Sequence, residues 1–150
     1  SKNYKKRGEL GKKMENCIFC RIAKGDIPAQ KVYEDNEVMA ILDISPTSPG
    51  HTLVIPKRHS ENLTEMGERD IQSVFTTVKK IAPAILVAME ADGFNVGMNN
   101  YPAAGQTVMH SHVHIIPRKA GDGLIMWPHS KYLEGEIGRI AEKIRRSIES

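Results

Sequence analysis

Half of the chain's six histidines alternate in one short stretch, His110-Ser111-His112-Val113-His114, which runs on into Ile115-Ile116-Pro117. A β-strand repeats every two residues. As a strand this stretch places His110, His112 and His114 on one face and Ser111, Val113 and Ile115 on the other, with neighbouring histidines roughly 6.5–7 Å apart. Three readings follow: an edge strand without chemistry, a metal site in which alternating imidazoles ligate zinc or copper, and nucleophilic or acid–base catalysis by imidazole. The concentration of histidine on one face favours the third.

The chemistry depends on what else the chain can bring to the triplet. Gly105-Gln106-Thr107 precedes it directly. The glycine permits close backbone approach to a ligand, and the two polar side chains offer donors to anionic oxygens. Asp43 ends an apolar run, where a carboxylate either caps the following turn or accepts hydrogen bonds from a ribose diol. Ile18, Phe19 and Ile22 share one face of a short predicted helix; their spacing alone favours core packing over an apolar slot for a flat base. Cys17-x-x-Cys20 reads as a redox pair, as two buried thiols, or as half of a four-coordinate structural zinc site.

These residues need a scaffold. At 150 residues the chain is the size of one domain, and 40% hydrophobic and 26% charged residues are ordinary for a globular protein. The net charge of +3 is uneven: residues 1–13 carry +5, and the remainder is therefore −2. That basic segment lacks periodicity and reads as a disordered tail, with residues 14–150 as the folded domain. Met14 is a candidate start, the tail being an expression remnant or a native extension. One aromatic and no fold around it argue against a nucleic-acid-binding arm. No apolar run is read as a membrane span or signal peptide, and a lone Cys-x-x-Cys fits a cytoplasmic protein.

Strands are predicted at Lys31–Asp35 and Glu37–Asp43 as a hairpin, at His51–Pro56, at Gly93–Asn100, and through the histidine triplet. Asp70–Glu90 carries apolar residues at helical spacing, with Pro83 expected to bend the helix or disturb its first half. Leu133–Ile148 reads as an amphipathic terminal helix that covers the sheet or a partner subunit.

Taken together, Asp43-Ile-Ser-Pro, Gly50-His51-Thr-Leu-Val-Ile-Pro-Lys57-x-His59, Gly105-Gln106-Thr107 and His110-x-His112-x-His114 resemble the motifs of the histidine triad (HIT) family, most closely its nucleotide-binding, purine nucleoside phosphoramidase-like branch. The resemblance runs from about Cys17 to Trp127. It implies an α+β fold with a five-stranded antiparallel sheet, one main helix and a C-terminal helix, joined into a homodimer with a continuous ten-stranded sheet. It implies a hydrolase or transferase of purine nucleotides, AMP derivatives among them, acting on phosphoramidate or phosphoanhydride bonds through a nucleotidyl-histidine. By the same resemblance His112 is the nucleophile, His114 contacts phosphate oxygens, and His51 orients the cluster. Gly105, Gln106, Thr107 and Asn99 face the phosphate, Asp43 the ribose, and Phe19, Ile22 and Ile44 the base. The leaving group's proton comes from Thr107 or a nearby histidine. Some prokaryotic members pair Cys17, Cys20, His59 and His110 equivalents around a structural zinc, with no metal at phosphorus. Two departures stand out: Ser111 replaces a bulky apolar residue, and the C-terminal helix is longer than in the smallest members. Trp127 is placed either at a partner's pocket or in simple packing.

Overall fold

The computed structural model describes residues 2–150. Five strands form one antiparallel sheet: β1 (Lys31–Glu34), β2 (Val38–Leu42), β3 (Thr52–Pro56), β4 (Gly93–Gly97) and β5 (Val113–Arg118). Their spatial order is β1-β2-β3-β5-β4, so β5 is an interior strand and β4 an edge. The hairpin turn between β1 and β2 is made by Asp35, whose Oδ1 accepts from the Glu37 and Val38 amides at 2.8 Å each, the local carboxylate bonding that makes aspartate a turn residue.

Alternation along the strands builds two separate cores. Val38, Ala40, Val54, Val113 and Ile115 point to one face, where Val74, Val78 and Ile81 of helix α3 (Glu68–Met89) cover them. Met39, Ile41, Leu53 and Ile55 point to the other face and meet Cys17, Phe19, Cys20 and Ile22 around helix α2 (Ile18–Ala23). His114 pairs with Leu53 across the sheet and therefore shares this second face.

Some elements differ from the sequence reading and others add to it. Residues 2–15 form a helix, α1 (Lys2–Glu15), rather than an irregular tail. Lysine, arginine, glutamate and leucine are good helix formers, and Met14 packs on the α2 core while Lys13 pairs with Glu61. Helix α3 has the length and hydropathy of a membrane span, a candidate the sequence analysis did not raise; its apolar stripe is instead taken up by the sheet. Pro83 lies within α3 without ending it. It sits on the exposed side, as does Lys79, whose carbonyl loses its helical partner to proline but can face water. Phe75, placed by spacing in the buried stripe, is 43% exposed.

The terminal helix α4 (Glu136–Glu149) begins after Gly135. Its isoleucines do not cover the sheet: Ile137, Ile144 and Ile148 are all exposed.

Candidate active site

The histidine triplet is only partly strand. β5 pairs with β3 from Val113 onward, but the Ser111 amide donates to the Ser60 carbonyl at 2.8 Å, and the two serine hydroxyls lie 2.9 Å apart. The chain before Val113 is thus held by the loop that follows β3, and this carries His110 to His59, with ring centroids 5.0 Å apart. His112 stands between Phe19 and His114, at centroid distances of 5.2 and 5.0 Å. The triplet consequently serves two places: His110 one cluster, His112 and His114 another.

Hydrogen bonds fix the tautomers in the second cluster. A backbone N–H can only donate, so the Thr47 amide, 3.0 Å from His51 Nδ1, makes that nitrogen an acceptor. Neutral His51 then carries its proton on Nε2 and donates it to His114 Nδ1 at 2.8 Å. His114 in turn carries its proton on Nε2, which is buried with no partner among the described residues. His112 is held the other way round: its Nδ1–H donates to the His110 carbonyl at 2.7 Å, leaving a lone pair on Nε2. One histidine therefore presents a nucleophilic lone pair and its neighbour an N–H donor.

Burial keeps these rings neutral. It lowers His51 and His112 from the ordinary histidine value and pushes His114 down to about 4. Gly50 makes the approach to His51 with φ +91°, and a Cβ there would lie 2.5 Å from Met89 Cγ. Asp43 caps the following turn, its Oδ1 accepting from the Ser45 amide at 2.8 Å, while Oδ2 lies 3.8 Å from His51 Nε2.

Around His51 and His114 opens a cavity of about 410 Å³ whose wall includes Thr47, Asn99, Gly97 and Arg118. Asn99 is also near Gly105, 3.5 Å from its carbonyl. Gln106 and Thr107, also expected at the phosphate, make contacts outside this cavity. Gln106 is buried and its amide holds the loop: Nε2 donates to the Glu61 and Val108 carbonyls, and Oε1 accepts from the Tyr101 amide at 2.8 Å. It fixes Tyr101 at φ 69°, a conformation unusual for a residue with a Cβ. Thr107 lines a different cavity, beside Cys17, His59 and Lys13. Phe19 and Ile22 pack in the α2 core with 5% exposure each, whereas Ile44 is 98% exposed. Thr47 and Arg118 join the cavity wall without a motif that marks them in the sequence. The signal for Thr47 is its turn-rich loop, from which its amide reaches His51.

The other cluster gathers Cys17, Cys20, His59 and His110, their donor atoms all within 4.8 Å of one another. Cys17 Sγ and Cys20 Sγ lie 3.3 and 3.6 Å from His110 Nδ1, Cys20 Sγ lies 3.4 Å from His59 Nδ1, and the two Nδ1 atoms are 3.2 Å apart. Tetrahedral zinc with ordinary Zn–S and Zn–N lengths separates its ligands by about 3.3–3.8 Å, so the four residues fit the ion. His110 is oriented for it. Its Nε2–H donates to the Pro56 carbonyl at 2.7 Å, which leaves Nδ1 free to ligate. Burial and the neighbouring Cys17 push the Cys20 thiol up to about 12, a proton that metal binding would release.

Comparison with known proteins agrees with this geometry. The chain is 54% identical over 140 residues to the protein Hit of Bacillus subtilis, covering 91% of this chain and 97% of the relative. It is 41% identical over 135 residues to the adenosine 5′-monophosphoramidase hnt1 of Schizosaccharomyces pombe, covering 89% and 98%. It is 40% identical over 139 residues to the adenylylsulfatase HINT3 of Arabidopsis thaliana, covering 89% and 70%. Among solved structures, a HIT family member from Bacillus subtilis superposes with a TM-score of 0.80 at 45% identity, covering 87% of this chain and 96% of that one. A zinc-bound histidine triad protein from Mycobacterium smegmatis gives 0.72 at 37%, covering 91% and 97%. Residues 24–121 match the HIT domain, and with relatives this similar over most of its length the chain belongs to the HIT family.

Proposed function

We propose that this protein hydrolyses purine nucleoside 5′-phosphoramidates, or related adenylates, through a covalent nucleotidyl-His112. The observation that carries this reading is the opposed pair of tautomers, a free lone pair on His112 Nε2 beside a free N–H on His114 Nε2. The lone pair attacks the α-phosphorus and the phosphorus–nitrogen bond breaks, the amine taking one proton from solvent water as it departs, a proton that the attacking water gives back to solvent in the second step. The His112 ring becomes cationic, and its Nδ1–H, already bonded to the His110 carbonyl, holds that charge. Water then attacks phosphorus and the histidine–phosphorus bond breaks, regenerating neutral imidazole. The His114 N–H steadies the phosphoryl oxygens, an electrostatic contribution available before the reaction begins. It is a hydrogen-bond donor rather than a proton source, because the Thr47 amide blocks resupply through His51.

The relatives named as a phosphoramidase and an adenylylsulfatase support a nucleotidyl substrate and differ in the group expelled. The same His112 would serve an amine, a sulfate or the phosphate of a dinucleoside polyphosphate. Cys17, Cys20, His59 and His110 would hold zinc as a structural clamp between α2 and the segment leading into β5, apart from the phosphorus chemistry at His112. A homodimer is supported by the open β4 edge, where Phe94 and Val96 are each 41% exposed, and by the uncovered α4 stripe. Two reduced, buried cysteines fit a cytoplasmic setting.

The test is intact-protein mass spectrometry after rapid, acid-free quenching with adenosine 5′-phosphoramidate. A mass gain of one AMP, absent in His112→Ala, supports the nucleophile assignment. An unchanged turnover rate in His112→Ala overturns it, and AMP binding with neither adduct nor turnover points to a nucleotide-binding module.

A further inference from the structure

The four residues that fit a metal are not equally enclosed. Cys20 is 2% and His110 0% exposed, against 9% for Cys17. Cys17 also lines an open cavity of about 480 Å³, together with His59, Lys12, Lys13 and Glu61. Cys17 therefore stands on the solvent side of the pair and Cys20 behind it. The two lysines outweigh Glu61 there, and positive charge beside a sulfur favours thiolate over thiol. Structural cysteines are inert when apolar surroundings enclose them; Cys17 lacks that protection.

The two sulfurs are also placed to react with each other. Both lie against one atom, His110 Nδ1, at 3.3 and 3.6 Å, and within 4.8 Å of one another. Cys17 caps the start of α2, and its Sγ accepts from the Cys20 amide at 3.4 Å. Ligation and disulfide formation exclude each other. A tetrahedral ion holds two separate thiolates about 3.3–3.8 Å apart, whereas a disulfide draws the sulfurs to about 2.05 Å and leaves them uncharged.

We propose that Cys17 is an oxidation site at which a peroxide converts Cys17 and Cys20 to a disulfide, discharging the metal and loosening the hold of His110 on His112. The Cys17 thiolate attacks one peroxide oxygen. The O–O bond breaks, Cys17 becomes a sulfenic acid, and the departing hydroxide takes a proton from solvent. The Cys20 thiolate then attacks Cys17 Sγ. The S–S bond forms, the S–O bond breaks, and a second hydroxide takes a second proton. The two thiolates have lost two electrons, and the peroxide has become two waters. His59 and His110 alone supply two of the four ligands a structural site needs. His110 then keeps its bond to the Pro56 carbonyl but loses its metal, and its own carbonyl is the acceptor that orients His112 Nδ1–H. The effect on turnover rests on the hydrolase reading; the oxidation and the loss of metal do not.

The test treats the zinc-loaded full chain with hydrogen peroxide, reading free zinc with a chromophoric chelator and recording the intact mass. One zinc per chain is expected to appear as the mass falls by two hydrogens, and a thiol reductant with added zinc to reverse both. AMP adduct formation on His112 is expected to slow about tenfold and to recover with them. Dimedone, which traps sulfenic acids, is expected to label Cys17 in Cys20→Ser faster than Cys20 in Cys17→Ser. Zinc that stays bound after the disulfide forms, or that leaves while both thiols are free, overturns the proposal. So do a chain that takes up no zinc under reductant, an adduct rate unchanged by oxidation, and dimedone labelling that does not favour Cys17. If wild type forms no AMP adduct the hydrolase reading fails, and the linked zinc and mass readings still decide whether the oxidation site exists.

Discussion

His112 donates from Nδ1 to the backbone carbonyl of His110 at 2.7 Å, and His110 is itself a member of the Cys17–Cys20–His59 cluster. The residue that fits the metal therefore also orients His112. Disturbing the cluster should reach the chemistry without touching the nucleotide. Cys20→Ser is expected to reduce zinc from one ion per chain to a small fraction by metal analysis and to lower Tm. The rate of AMP adduct formation is expected to fall about 10–100-fold, the size of effect seen when groups that orient a metal site are changed.

His112→Ala removes the lone pair itself. The expected loss in kcat is on the order of 10⁴-fold, with the Kd for AMP, measured by calorimetry, within a few-fold of wild type. A parallel loss of AMP binding would assign His112 to recognition.

His51→Asn tests the tautomer chain. Without the Nε2–H of His51, 2.8 Å from His114 Nδ1, His114 is free to protonate on either nitrogen and donates to the phosphoryl group only part of the time. A fall in kcat of about tenfold with little change in KM is expected, smaller than for the nucleophile because one oriented donor is weakened rather than removed.

Gln106 gives a contrasting prediction. Gln106→Ala strands the Tyr101 amide and the Glu61 and Val108 carbonyls, partners of a residue only 4% exposed. Unsatisfied buried groups cost about 1–3 kcal/mol each before water relieves them, so a loss of about 2 kcal/mol in denaturant unfolding is expected. A direct phosphate contact would instead show as a rise in KM with unchanged stability.

Acid should destabilise the protein through His114. Its folded value is pushed down to about 4 by burial, below the ordinary unfolded value of about 6.5. Between these values the unfolded chain binds the proton more readily, so the stability contribution is complete above about pH 6.5 and is lost as pH falls toward 4. Tm measured across this window should decline on acidification, and less steeply in His114→Gln.

Much of the scaffold was legible because it rests on local periodicity. The alternation in β2 and β3 and the helical spacing of Val74, Val78 and Ile81 are written in neighbouring residues. The departure of His110 from the strand was not, because it depends on a backbone bond from Ser111 to Ser60, distant in sequence. The Cys-x-x-Cys pair with His59 and His110 was found by resemblance to other chains; spacing alone left the thiols open among three roles. Gln106 and Thr107 illustrate the limit of composition. Their side chains offer suitable donors, but the three backbone partners of the buried Gln106 amide and the place of Thr107 beside a second cavity are outcomes of tertiary packing. Helix α1 was missed because a basic composition was weighed above helix propensity and above the long-range pair between Lys13 and Glu61.

β5 is hydrogen-bonded on both sides, and His114 pairs with Leu53 of β3 and Gly97 of β4. An amide in such a position exchanges with solvent only when the whole sheet comes apart, whereas exposed segments exchange through small local openings. Deuterium uptake at Val113–Ile115 should therefore be among the slowest in the molecule and that at Ile125–Trp127 among the fastest. The strand that carries His114 thus belongs to the last cooperative unit to open, and the exposed cavity-wall segment Ile125–Trp127 can fluctuate on its own, opening and closing the cavity mouth without loosening the histidines.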